Sequence, residues 1–594
     1  MIDTIRNFAI IAHIDHGKST LADRIMEMTE TVSQREAKDQ LLDDLSVEQA
    51  HGVTVKSRTV RNFYKADDGK SYCYHLIDTP GHVDFSYEVS KSLAACEGVL
   101  LLVDATQGIQ AQTLANYRLA KAANLIILPV INKIDSPQAD VNKVTQQLFD
   151  LDKTFSKPLL ISAKTGQGVH EVLEAIHKII PAPIGNPKQP LQALVFDSFY
   201  DTYKGVIAEI RIVSGQLSKG DKLFLMQTKA NALSTELGTF SPKMTPVSKL
   251  SAGEVGYVIT GLKNPQAVKI GDTLTLANQP TPEPLSGYQE PQSMVFASFY
   301  PKDKEDAKLK AAIEKLSLND PSFQYQITQS EAMGVGFHCG FLGMFHLQII
   351  RERLLEEFHL EVLATAPTVI YHITLKNGEK VAIDNPTHFP DFSIIDRVEE
   401  PYMAVTIATP SESLGALMQL AEYHKGNLIT MDNQADMLLL NYEMPLSKIS
   451  YDFFDKLKSL SHGYANLETS FLNYQAADVV RIDVAINYAK VDALTFILHR
   501  DEAPKMTQGL VHKLKNTVPR KLYPMPAQAI VEGKVLARVD IPPLRKNAAV
   551  NGEKHSISKK QALLRRQNLN KRQAALSDII ITQEVLNSVL ELNL

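Results

Sequence analysis

A lysine and two hydroxyl residues close the string Ala12-His13-Ile14-Asp15-His16-Gly17-Lys18-Ser19-Thr20, which directly follows the apolar run Phe8-Ala9-Ile10-Ile11. That order predicts a phosphate-binding loop leaving a strand and entering a helix. Backbone N–H groups turn inward in such a loop and the helix N-terminus adds its positive dipole end, so anionic oxygens meet donors. Lys18 is expected to reach the β- and γ-phosphates of a nucleoside triphosphate and the Ser19 hydroxyl to ligate Mg²⁺. Asp15, His16, Gly17 and Thr20 complete the cradle. Ala12 stands where the general GxxxxGK[ST] pattern has its first glycine, and short Gly-Lys-Ser strings also occur in ordinary turns, so the loop needs partners elsewhere.

Three such partners follow in order. Asp78-Thr79-Pro80-Gly81-His82 comes after the short apolar strand Tyr74-His75-Leu76-Ile77, which delivers the Asp78 carboxylate to the surroundings of Mg²⁺ and the Gly81 N–H to the γ-phosphate. Asn132-Lys133-Ile134-Asp135 follows Leu125-Ile126-Ile127-Leu128-Pro129-Val130-Ile131. The Asp135 carboxylate can accept from both the ring N–H and the exocyclic amine of guanine, whereas adenine presents the opposite donor and acceptor sense. The expected ligands are therefore GTP and GDP. Ser162-Ala163-Lys164, after Pro158-Leu159-Leu160-Ile161, is expected to close the base pocket with backbone N–H groups. Each string alone reads equally well as a strand-end turn. Four in this order, each at the carboxyl end of an apolar strand where open α/β sheets bind ligands, leave that reading little room.

A chain of 594 residues divides into about four or five domains. Residues 1–184 alternate strand and helix patterns, as a doubly wound α/β nucleotide domain requires. Residues 185–280 change to period two, with Val206, Ala208, Ile210 and Ile212 on one strand face, and predict a β-barrel. A Pro- and Gln-rich linker follows at 278–291. Residues 290–375 and 395–481 each show strand, helix, strand, helix and strand patterns in the same order, consistent with a βαββαβ unit; Val362 to Tyr371 would be the last strand of the first. Both predict ferredoxin-like domains, which makes the whole a multidomain α/β plus β-barrel plus α+β protein. Residues 482–594 form a small basic C-terminal domain.

The composition, 44% hydrophobic and 22% charged, is that of a soluble globular protein. Cys73, Cys96 and Cys339 are scattered, so neither a disulfide framework nor a zinc site is indicated. The start lacks a signal peptide pattern and no apolar run approaches the ~20 residues that span a bilayer, which favours the cytoplasm. A net charge of −5 hides an asymmetry: residues 500–572 carry +12 and the rest of the chain −17. Lys513, Lys515, Arg520, Lys521, Arg545, Lys546, Arg565 and Arg566 are the candidate contacts to RNA phosphates, the alternative being a solvated lysine-rich face.

These motifs resemble the translational GTPases and, within them, the LepA (elongation factor 4) family. The phosphate loop matches that family's, including Ala12. So do Ile77-Asp78-Thr79-Pro80-Gly81-His82-Val83-Asp84-Phe85, Gly336-Phe337-His338-Cys339-Gly340-Phe341-Leu342-Gly343 and Leu544-Arg545-Lys546. The resemblance implies a Mg²⁺-dependent GTP hydrolase that works on the ribosome, touching ribosomal RNA and tRNA. Its proposed roles are back-translocation, fidelity, initiation or subunit assembly, with a GTP-regulated assembly factor as the alternative. It also implies a monomer, with peripheral association at the membrane in some members. At matching positions Thr54 would join Mg²⁺ and the γ-phosphate, Ile14 and Val53 would form an apolar gate, and His82 would orient the attacking water. The chain departs from the family in four places. His51 stands before the switch glycine, His338 and His424 stand where arginines are expected, and Val550-Asn551-Gly552-Glu553-Lys554-His555 replaces a Cys-Tyr-Gly-Gly loop. Histidine is mostly uncharged near neutral pH, so contacts to RNA are expected to be weakened or moved.

Overall fold

The computed structural model describes residues 2–13, 15–32, 54, 56–80, 86–201, 203–286, 293–302, 305–320, 322–330, 332–434, 437–449, 452–461, 463–521, 524–544 and 581–590. Its first sheet is built from β1 (Ile5–Ala12), β2 (Arg58–Lys65), β3 (Ser71–Asp78), β4 (Gly98–Asp104), β5 (Ile126–Asn132) and β6 (Leu159–Leu160) in the order β2-β3-β1-β4-β5-β6. All neighbours run parallel except the β2–β3 hairpin. Every residue of β1 and β4 is buried, as a central parallel strand covered on both faces must be. Alternate residues feed two cores. Phe8, Ile10, Leu100 and Leu102 pack with α1 (Lys18–Met28) and α5 (Val169–Ile179). Ala9, Ile11, Leu101 and Val103 pack with α2 (Ser86–Leu93), α3 (Ala111–Ala122) and α4 (Val141–Leu151).

The next unit is an eight-stranded antiparallel sheet that contains β7 (Gln192–Asp201) and β8 (Gly205–Ser214) and curls around Val195, Ala208, Ile210, Leu223, Val258 and Leu274. Two ferredoxin-like units follow. In the first, Gln324–Ser330, Gly334–Phe341, Val295–Pro301 and Val362–Ala364 lie side by side under helices Asp306–Asn319 and Met344–Phe358. In the second, Asn427–Gln434, Met437–Pro445, Ile395–Thr409 and Asn466–Ala476 repeat that order with helices Leu414–Tyr423 and Asp452–Leu460. The expected strand from Val362 to Tyr371 differs from the one observed. It ends at Ala364, just before Thr365-Ala366-Pro367, and Tyr371–Leu375 starts a hairpin that joins the second unit's sheet instead. Pro367 offers no N–H to continue the ladder. At the C-terminal end a five-stranded sheet is covered by Ala503–Thr517, and Val585, Leu586 and Val589 of the helix Gln583–Leu590 share its core.

The units share cores. Phe196 and Val255 of the barrel and Ala408 and Leu439 of the second ferredoxin-like unit belong to the same apolar cluster as Leu114 and Tyr117 of α3. Polar ties reinforce the barrel joint. Asn7 donates from Nδ2 to Glu97 at 2.9 Å and to Gly253 O at 3.1 Å, Arg211 pairs with Glu97, and Arg61 lies 3.3 Å from Glu254.

His75, fully buried in β3, contacts Asn7 Oδ1 through Nδ1 at 2.7 Å. Burial, helped by the Arg61 charge, pushes its imidazole down to about 3. In the unfolded chain it takes up a proton near pH 6.5, so its share of stability is present above that pH and is lost as pH falls through the window from 6.5 to about 3. By linkage the loss amounts to about 2 kcal/mol at pH 5. The Tm followed by circular dichroism is expected to fall between pH 7 and pH 5, and to fall less steeply in His75→Gln; parallel profiles would contradict this.

Candidate functional site

The loop after β1 is shaped by two left-handed residues, Asp15 at φ 63° and Gly17 at φ 93°. A Cβ on Gly17 would lie 2.4 Å from Asn132 Nδ2, so only glycine fits. Asn132 ends β5 and ties two loops together. Its Nδ2 donates to His16 O at 2.9 Å and its Oδ1 accepts from the Ala163 N–H at 2.9 Å. Lys133, also left-handed at φ 64°, lays its ammonium on Asp15 O at 2.6 Å and on Asp104 Oδ2 at 2.7 Å. Burial alone would raise the Asp104 carboxyl, but Lys133 and the two Thr106 donors outweigh it and hold it below its ordinary value. The His16 ring is buried beneath the loop, where it accepts from the Asp104 N–H at 3.3 Å, and burial pushes it down to about 4. The residue therefore serves through its backbone.

Lys18 opens α1 and donates to Thr54 Oγ1 and to Asp78 Oδ1, each at 2.7 Å. Both partners are buried, Thr54 at 3% and Asp78 at 0% exposure. Thr79 anchors the end of β3 by donating to Ile10 O at 2.9 Å. A hydroxyl, a carboxylate and a lysine thus meet at one point beside Ser19, which is half-buried at the start of the same helix. Thr20 and Asp135 are exposed and Ile134 is half-buried at the rim.

The Ser162 and Ala163 N–H groups, expected on the base, are engaged within the protein instead. Ser162 donates to Gln167 O at 2.9 Å and Ala163 to Asn132 Oδ1. Arg24 holds the same loop, donating to Ala163 O at 3.2 Å and to Lys164 O at 2.9 Å. Asp104, Arg24 and Asn116, which donates to Ala12 O at 3.2 Å, are site residues that motif reading passed over. Asp104 alone carried a signal, being a carboxylate at the end of the apolar strand Gly98–Asp104.

Ile14, Val53, Gly81, His82, Arg545, Lys546, Arg565, Arg566 and the stretch 550–555 lie outside the described residues. Lys513 and Lys515 are half-buried on the helix Ala503–Thr517, Arg520 is exposed and Lys521 half-buried just beyond it. His338 and His424, the two histidines found where arginines are expected, are both buried. His338 is buried against Ser298 Oγ at 3.1 Å and stacks on Phe296. His424 is buried, donating from Nδ1 to Lys448 O at 2.8 Å, edge-on to Phe453. Both rings pack inside the ferredoxin-like units.

Residues 3–182 match the elongation factor Tu GTP-binding domain and 205–275 match elongation factor Tu domain 2. Residues 397–484 match the elongation factor G C-terminus and 486–591 the C-terminus of the GTP-binding protein LepA. The chain is 60% identical to elongation factor 4 2 of Lactiplantibacillus plantarum, over 99% of each chain. It is 47% identical to elongation factor 4 of Bacillus subtilis, over 99% of this chain and 97% of that one. The chain belongs to the elongation factor 4 (LepA) family. It is accordingly a translational GTPase that hydrolyses GTP. A Thermus thermophilus crystal structure shares the fold at TM-score 0.57 and 17% identity, covering 80% of this chain and 97% of that one. No helix among the described residues is long and apolar enough to cross a membrane.

Asn132→Ala removes a donor and an acceptor and leaves two buried backbone groups without partners, a cost of about 1–3 kcal/mol. We expect faster amide exchange at His16 to Lys18 and at Ser162 to Lys164, with nucleotide affinity lowered roughly tenfold or more. Unchanged exchange in both loops would show that the bridge does not hold them.

Proposed function

We propose that this protein is a GTP-driven switch whose hydrolysis is triggered by the ribosome. The observation that carries the reading is the convergence of Thr54 and Asp78 on the Lys18 ammonium, 2.7 Å from each. A hydroxyl and a carboxylate that already share one cation are a hard-oxygen set suited to Mg²⁺, and Ser19 adds a second hydroxyl. Bound there, Mg²⁺ would neutralise charge on the β- and γ-phosphate oxygens. Lys18 then turns from Asp78 to the phosphates, the loop Asp15 to Thr20 supplies N–H donors, and Asp135 selects guanine beside Asn132, Lys133 and Ile134. Ser162, Ala163 and Lys164 line the base pocket. Gly81 meets the γ-phosphate, Ile14 and Val53 exclude bulk water, and His82 orients the attacking water for in-line displacement. The sequence has no arginine at a matching motif position to act as a finger, which supports slow unstimulated turnover and a trigger supplied by the partner.

Lys513, Lys515, Arg520, Lys521, Arg545, Lys546, Arg565 and Arg566 would meet phosphates of ribosomal RNA or tRNA, supported by the +12 balance of residues 500–572. The step served is back-translocation or an aid to fidelity, initiation or assembly. The protein works as a cytoplasmic monomer with units near 1–184, 185–280, 290–375, 395–481 and 482–594, and any membrane contact is peripheral. Its higher identity to a relative named elongation factor 4 2 than to the Bacillus subtilis elongation factor 4 supports a divergent paralogue within the family.

Complete ribosomes are expected to stimulate GTP hydrolysis strongly and free subunits weakly; the reverse order would favour the assembly factor. His82→Ala should still bind GTP and ribosomes yet lose on the order of 10²–10³ in stimulated turnover, the usual worth of a positioning group. Stimulated turnover within a few-fold of the parent would remove His82 from the mechanism.

A further inference from the structure

Two lysines of the nucleotide domain converge on one carboxylate of the barrel. Asp197 lies in β7 and is 2% exposed. Its Oδ1 accepts from Lys91 Nζ at 3.1 Å, and Lys56 Nζ lies 3.6 Å from its Oδ2. Lys91, on α2, is itself 1% exposed and also pairs with Glu88 at 2.6 Å. Lys56 stands two residues after Thr54, with its ammonium 5.4 Å from the centre of the Phe199 ring. The pairing of β7 with β8 shifts register between Val195 and Asp197, and the Ser198 N–H donates to Asp197 Oδ1 at 2.8 Å. Next to it Phe196 enters the apolar cluster of Val89 and Leu93 on α2. The carboxylate is therefore held rigidly while its partners come from two different segments.

Burial would push Asp197 up, but the charges of Lys56 and Lys91 outweigh it and hold it below its ordinary range. The neighbouring Glu209 has the opposite fate: burial, reinforced by Asp197, raises it to about 7. Asp197 is thus the ionised centre of the joint. A buried carboxylate of this kind is tolerated only while its cations stay in place, and withdrawing one leaves charge without compensation. The barrel accordingly favours one placement of Lys56 and Lys91. The first follows Thr54, and the second sits on the helix that follows residues 81–85.

We propose that Asp197 is a positioning residue for GTP hydrolysis, fixing through Lys56 the segment that carries Thr54 and through Lys91 the helix Ser86–Leu93 beside it. The barrel thereby helps set the arrangement that receives the γ-phosphate. This rests on the role given above to Thr54. GDP lacks the γ-phosphate that Thr54 is proposed to meet, so an effect carried through Thr54 falls on GTP.

The test uses the full-length protein and fluorescent derivatives of GDP and of a non-hydrolysable GTP analogue. Asp197→Asn is expected to weaken the GTP analogue by about fivefold or more, the lower end of typical coupling between sites, with GDP affinity kept within twofold. kcat should fall with it, and Asp197→Glu should recover part of the loss. Equal loss for both nucleotides, or loss of Tm with the GTP-to-GDP ratio intact, would reduce Asp197 to a structural role and overturn the proposal. Should Asp197→Asn fail to fold, Lys56→Gln alone should lower the same ratio. Where both variants fold, the double variant should be no worse than the single ones, and additive losses would also overturn it. Failure of the parent protein to prefer guanine nucleotides would strike at the GTPase reading instead.

Discussion

The side-chain amide of Asn132 is the tie on which the nucleotide site depends. The loop after β1 and the loop after β6 belong to different parts of the sheet order. One amide donates to the first and accepts from the second, both at 2.9 Å. Because each partner is a buried backbone group, the bond is worth more as a constraint than as a gain in energy. Gly17 is the consequence in sequence: the amide approaches so closely that a side chain at 17 has no room. Lys133 extends the tie to Asp15 and Asp104, and Arg24 holds the far side of the second loop.

The nucleotide domain does not keep its apolar surface to itself. Phe196, Val255, Ala408 and Leu439 complete a core that α2, α3 and α4 begin. The nucleotide domain is thereby packed directly against two other units. Asn116 on α3 holds Ala12 O on one side of this helix while the second ferredoxin-like unit packs on the cluster it shares. The barrel is joined in addition by the charges around Glu97 and Asp197.

Much of this was legible in the chain itself. Period-two and period-3.6 patterns placed the parallel sheet, the barrel and both ferredoxin-like units, because each buries one regular face. The nucleotide strings were legible because a carboxyl-end position in an open sheet leaves few other uses for a lysine or a carboxylate. What escaped depends on depth and partners. His338 and His424 read only as histidines in place of arginines, and nothing in the sequence showed that they are buried against Phe296 and Phe453. The N–H groups of Ser162 and Ala163 read as ligand donors, but backbone groups have no sequence identity that would reveal a competing acceptor. Asp104 lacked a following motif, and Asp197 is an isolated acid in a strand whose two cations come from distant segments. The break after Ala364 was written in Pro367, and an apolar stretch on either side concealed it.

The central claim, that the loops joined by Asn132 form a guanine site, is tested most directly by exchanging Asp135 for asparagine and titrating the parent and variant with GTP and xanthosine triphosphate. The account predicts that Asp135→Asn loses GTP affinity and gains affinity for the xanthine nucleotide, because the carboxylate's two acceptors meet the two donors of guanine. Unchanged GTP affinity, with no gain for the xanthine nucleotide, would contradict it.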